Sequence, residues 1–151
     1  MHNKDHDIDA LNGLITTTID SVDGYREAAT DASNESFRKM FMDRANERDD
    51  VVDQLQAEVS RLGGEPSDSG SALAGAHRMF VNLRDALTGG DDKAIIAEVE
   101  RGEDHIKAKY EAAMADTDLS PDAMAVIRTC YQSVKSGHDQ MRDLKHGMAA
   151  V

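Results

Sequence analysis

Three polar residues in this 151-residue chain stand where helical periodicity expects apolar ones. Glu103 lies four residues after Val99 and three before Ile106, on a stripe that continues through Tyr110 and Ala113. His138 follows Val134 by four and precedes Met141 by three, and Glu47 precedes Val51 by four and Leu55 by eight. An ionised carboxylate buried without a partner costs several kcal/mol. Glu103 must therefore meet a cation, a hydrogen-bond donor or a metal ion, or turn out to water.

Two chemistries suit such a set. In a di-metal carboxylate centre, two helices of a bundle each supply a Glu. The other two each supply Glu-x-x-His, whose spacing aims both groups at one ion pair. Glu103, His138, Glu47 and Asp50 are the metal-ligand candidates, with Glu27 as a further one. The competing chemistry is a buried ion pair of Glu103 with Arg44, Arg48 or Lys135, and partnered burial is the commoner fate of an internal charge. For His138 the competing reading is a core imidazole bonded to a carboxylate or to Tyr25. Glu47 and Asp50 lie in "DRANERDD", a charge run of the kind that usually forms a solvated face.

The elements that must position these groups are helices. Apolar residues recur at steps of three or four from Ile8 to Ala29 and from Phe37 to Leu62, and no segment alternates with period two. The spacing predicts long helices over about 5–31, 34–62, 92–116 and 120–146, and a shorter one over about 72–87. Asp5 or Asp7 is expected to cap the first, and Ser33, in a weak capping box with Ser36, the second. Gly63-Gly64 and Pro66 end the second helix, Asp91 or Asp92 caps the next, and Ser120-Pro121 opens the last. Two hairpins joined by one long connection make a single-domain, all-α four-helix bundle, the short helix crossing between the second and third bundle helices. Aligned end to end, the helix midpoints place Thr18, Glu47 with Asp50, Glu103, and Lys135 with His138 in one central layer. Lys135 there could pair with Glu103 or Glu47 in place of a metal's charge.

Composition narrows the functions. The formal net charge is −12 and aromatics make up 4% of the chain. Such a surface repels phosphate backbones and anionic lipid, which argues against nucleic-acid and membrane partners. The polar N-terminus has no apolar core of a signal peptide, and the single cysteine, Cys130, cannot form an internal disulfide; both suit a cytoplasmic protein. No phosphate loop, Cys-x-x-Cys, His-Glu-x-x-His or nucleophile elbow occurs. Of the eight methionines, Met40, Met42, Met79, Met114, Met124, Met141 and Met148 mostly lie near the apolar stripes, and Met79 with Phe80 in the short helix offers a self-association surface.

"GEDHIKAKYEAAM" resembles the third bundle helix of rubrerythrins and other ferritin-like proteins, a Glu followed seven residues later by Tyr and then by Glu and small residues. Glu103, Tyr110, Glu111 and Ala112-Ala113 fit it. "DGYREAA" resembles the equivalent part of the first helix. The stretches "LNGLI", "LGGEPSDSGS", "ALTGGDDKAI" and "ERGEDHIKAKYEAA" are similar to a bacterial ferritin-like four-helix-bundle family described as a domain of unknown function. That resemblance spans nearly the whole chain. It implies a ferritin-like fold and, in the wider group, iron or another divalent metal at the bundle centre.

The ligand pattern of the wider group is incomplete here. Thr18 stands where the first-helix Glu would fall, Glu47-x-x-Asp50 replaces Glu-x-x-His, and Lys135 takes a carboxylate's place before His138. The resemblance therefore implies a non-enzymatic or vestigial member with a degenerate di-metal site, acting in stress physiology as a structural or interaction protein. The alternative is a di-iron or mixed-metal protein handling iron, O₂ or peroxide through Glu103, His138, Glu47, Asp50 and Glu27. Either is expected to be a homo-oligomer, a dimer or higher.

Overall fold

The computed structural model describes residues 3–71 and 92–149. Four helices carry them: α1 (Lys4–Asp31), α2 (Glu35–Arg61), α3 (Asp92–Met114) and α4 (Pro121–Ala149). Their bounds fall within three residues of those expected from periodicity. The expected short helix over 72–87, with His77, Met79 and Phe80, lies outside the described residues.

Local chemistry sets the ends. Asn3 caps α1, its side chain accepting from the Asp5 amide at 2.8 Å, so neither Asp5 nor Asp7 is the cap. Asn34 caps α2 by accepting from the Phe37 amide at 3.1 Å, displacing Ser33 from that role. The end of α2 is a Schellman motif. Gly63 takes φ +84°, its amide donates to the Ser60 carbonyl, and the Gly64 amide donates to the Val59 carbonyl. Ser120 and Pro121 open α4 as expected, the Ser120 hydroxyl accepting from the Ala123 amide at 3.2 Å.

Packing neighbours fix the topology. Helix α1 packs beside α2 and α3, and α4 beside α2 and α3, which leaves α2 opposite α3 and α1 opposite α4. Contacts at the helix ends give the directions. The Asp92 carboxylate, at the start of α3, accepts from the amides of Ser33 and Asn34, each at 2.9 Å. Asp7, in the first turn of α1, is buried and accepts from the Ser120 amide at 3.0 Å. Arg61 at the end of α2 lies 3.6 Å from Asp122 at the start of α4. So α1 runs antiparallel to α2 and α3, and α4 runs parallel to α1. The chain leaves α2 at one end of the bundle and enters α3 at the other.

The core is a column of apolar residues from all four helices, including Leu11, Ile15, Phe41, Leu55, Ile96, Ile106, Ile127 and Val134. Among the described methionines, Met141 is fully buried, while Met42 is 42% exposed and departs from the stripes expected to hold it. No described helix is long and apolar enough to cross a membrane.

Candidate functional site: an ion pair through the bundle centre

The centre of the column is polar. Arg48 on α2 and Glu103 on α3 meet across the bundle's diagonal, Nη1 donating to Oε1 at 2.8 Å and Nη2 to Oε2 at 2.5 Å. Both side chains are sealed from solvent, 0% and 2% exposed. This is the two-pronged guanidinium–carboxylate geometry, in which two parallel hydrogen bonds share the charge. Burial is the largest influence on the Arg48 guanidinium and lowers its pKa, but attraction and hydrogen bonding from Glu103, together with smaller contributions from Tyr25 and Tyr110, make the net shift upward. Arg48 stays cationic.

Every helix shapes the space around the pair. From α1, the Ser21 hydroxyl accepts a second hydrogen bond from Arg48 Nη1 at 2.7 Å, and the Tyr25 ring lies 5.5 Å from the guanidinium carbon. A cation over an aromatic face is attracted by the ring's quadrupole. From α4 comes an absence of side chain: a β-carbon on Gly137 would lie 2.5 Å from Arg48 Nη2 and 2.9 Å from Glu103 Oε2. Further along, Thr18 shares a hydrogen bond of 2.8 Å with the Tyr110 hydroxyl. Burial, and then Glu103, push the Tyr25 phenol well above its ordinary range, so it too stays protonated. Tyr25 Oη and Arg48 Nε are the two buried side-chain polar atoms without a hydrogen-bond partner among the described residues.

The sequence-derived candidates do not converge here. Glu103 is at the centre, and its partner is Arg48, one of the three cations named for it. Lys135 stands at the height of the central layer but does not face it: it is half exposed and pairs with Asp139 at 2.9 Å, because its position on α4 points a quarter-turn or more away from Gly137. Glu47 flanks the bundle, held by Arg44 at 3.0 Å and by the Ser133 hydroxyl. Asp50 and Glu27 are exposed. His138 is buried, as its stripe requires, yet its ring points along the α3–α4 seam, where Nε2 lies 2.6 Å from Asp104 and Nδ1 lies 3.2 Å from Asp139.

Reading "DRANERDD" as a solvated face left Arg48 undistinguished from Arg44 and Lys135 as the partner of Glu103. Arg48 stands seven after Phe41 and seven before Leu55, with Ala45 and Val52 between, on an unbroken apolar stripe. That spacing was the available signal. Gly137 carried none, since one sequence does not tell a crowded glycine from a tolerated one.

Residues 6–116 match a family described as a domain of unknown function (DUF2383). The chain belongs to this family. No curated protein matches it. Among solved structures it is similar to a two-domain protein from Anabaena variabilis containing DJ-1/ThiJ/PfpI-like and ferritin-like domains. The TM-score is 0.75 at 15% identity, and the match covers 99% of this chain and 38% of that one. The likeness establishes an all-α, ferritin-like four-helix bundle. The chain spans well under half the length of that protein.

Proposed function

We propose that this DUF2383 protein is a non-enzymatic ferritin-like bundle, a structural or interaction protein whose centre holds an internal ion pair in place of two metal ions. The observation that carries the reading is the Arg48–Glu103 pair across the diagonal, sealed and matched charge for charge. A di-metal centre needs several carboxylates to neutralise two dications. The described centre offers one, Glu103, already engaged at both oxygens, beside a guanidinium that stays protonated. A dication placed there would meet a like charge at short range in a poorly screened interior. The present residues do not fit a pair of metal ions.

The resemblance to bacterial ferritin-like proteins extends this reading to stress physiology, with the bundle as a rigid scaffold. Air oxidation of Fe(II) tests it. The protein, purified without a histidine tag, should leave the rate at that of buffer. Saturable acceleration that Glu103→Gln abolishes would establish the alternative, a di-iron protein handling iron, O₂ or peroxide.

A further inference from the structure

On the outer seam of α3 and α4, away from the central pair, Glu100, Asp104 and His138 bring one ligand atom each to within 4.8 Å of one another. Helical spacing explains the first two: Glu100 and Asp104 are four apart on α3 and share a face. Packing of α4 against that face supplies His138, whose Nε2 lies 2.6 Å from Asp104 Oδ1. We propose that Glu100, Asp104 and His138 form a mononuclear site for a divalent transition-metal ion of the Zn²⁺, Fe²⁺ or Mn²⁺ type, bridging α3 and α4.

A second feature points the same way, and it concerns the far side of the imidazole. His138 Nδ1 lies 3.2 Å from Asp139 Oδ1, and Asp139 is in turn bonded to Lys135 at 2.9 Å and lies 3.5 Å from Arg142. Metal-bound histidines nearly always donate their other ring N–H to a carboxylate, a backbone carbonyl or water, which fixes the tautomer and leaves the opposite nitrogen as a ligand. Asp139 is placed for that role: with an ion at Nε2 in place of the contact to Asp104, Asp139 would hold the proton on Nδ1.

The donor set selects the ion. One imidazole and two carboxylates suit borderline cations that accept nitrogen with oxygen, and three protein ligands leave a position for water. Ligand atoms sit about 2.0–2.2 Å from such ions. The cluster therefore closes with small side-chain rotations, easiest at Asp104, whose side chain is 57% exposed. Glu100 is also 3.2 Å from Lys145 Nζ, and that partly exposed ammonium must swing away as the ion enters. The chain's net charge of −12 draws cations toward the surface. A bound ion would brace the second hairpin from outside, where the ion pair braces the bundle from within.

Zn²⁺ titration of the chelator-treated full chain by calorimetry tests the site. Wild type should take up one equivalent with saturation. Asp104→Asn and Glu100→Gln should each weaken binding at least tenfold while keeping the wild-type circular dichroism spectrum. Asp139→Asn, which touches no metal, should weaken it about 10–100-fold. His6→Asn is the control, because His6, Asp116 and Asp118 form a second cluster at the loop between α3 and α4. Absence of saturable uptake by wild type would overturn the proposal. So would uptake unchanged in Asp104→Asn, or lost in His6→Asn. Uptake lost only in Glu103→Gln would place the ion at the bundle centre and overturn the ion-pair reading as well.

Discussion

Gly137 lies against the Arg48 guanidinium so closely that a single added carbon would stand 2.5 Å from Nη2. Glycine in a helix interior costs about 0.5–1 kcal/mol relative to alanine. At this position the missing side chain gives the ion pair its room. Gly137→Ala should therefore lower stability by about 1–3 kcal/mol in denaturant melts, the overpacking cost exceeding the propensity gain. A more stable variant would mean that the pair shifts freely, and that the centre is looser than its geometry.

Gly13 makes the opposite case within the same fold. It is an exposed residue inside α1, and a β-carbon there meets nothing within 4 Å. Gly13→Ala should raise stability by about 0.5–1 kcal/mol. Measuring the two variants side by side separates helix propensity from crowding, since only their surroundings differ.

The fold was legible because its signals are local. Pro121 and Gly63-Gly64 mark helix ends through their own backbone geometry, and the three-and-four spacing marks the buried faces. The caps moved because Asn3 and Asn34 are as competent as the neighbouring Asp5 and Ser33, and at the second helix the Ser33 hydroxyl is taken by Asp92. The centre was half legible. Matching helix midpoints gives the height of a residue along the bundle but not its angle around each helix. At the height of Lys135 and His138, the angle selects Gly137 to face the pair. The identity of Glu103's partner depended on α2 lying diagonal to α3, a property of the whole arrangement that no single helix encodes.

Cys130 is 1% exposed, and burial pushes its thiol up to about 11. The thiolate is the nucleophile, so little of it is present near pH 8. Iodoacetamide at that pH should leave the native protein unmodified over hours and label it fully once denaturant unfolds it. Rapid labelling of the native chain would place α4 in frequent local opening.

His6 titrates above its ordinary 6.5, chiefly because Asp116 hydrogen-bonds it at 2.7 Å, with attraction from the same carboxylate adding to this. The folded value is raised, so this contact stabilises the protein fully below pH 6.5 and fades as pH rises through the folded value. An NMR titration should show His6 shifted upward in wild type and back toward 6.5 in Asp116→Asn. An unshifted His6 in wild type would mean that the N-terminal turn of α1 is not held to the α3–α4 loop.

The central claim is that Arg48 and Glu103 stabilise the bundle as a unit, and a double-mutant cycle measures that directly. Equilibrium unfolding, in the presence of a chelator, of wild type, Glu103→Leu, Arg48→Met and the combined Glu103→Leu/Arg48→Met protein supplies the terms. Each single change strands a buried partner and should cost about 3–5 kcal/mol. The combined apolar replacement removes both charges and should recover most of that loss, because filling the volume without charge is often neutral or better. Single variants as stable as wild type, or a combined variant that loses the sum of both, would contradict the account.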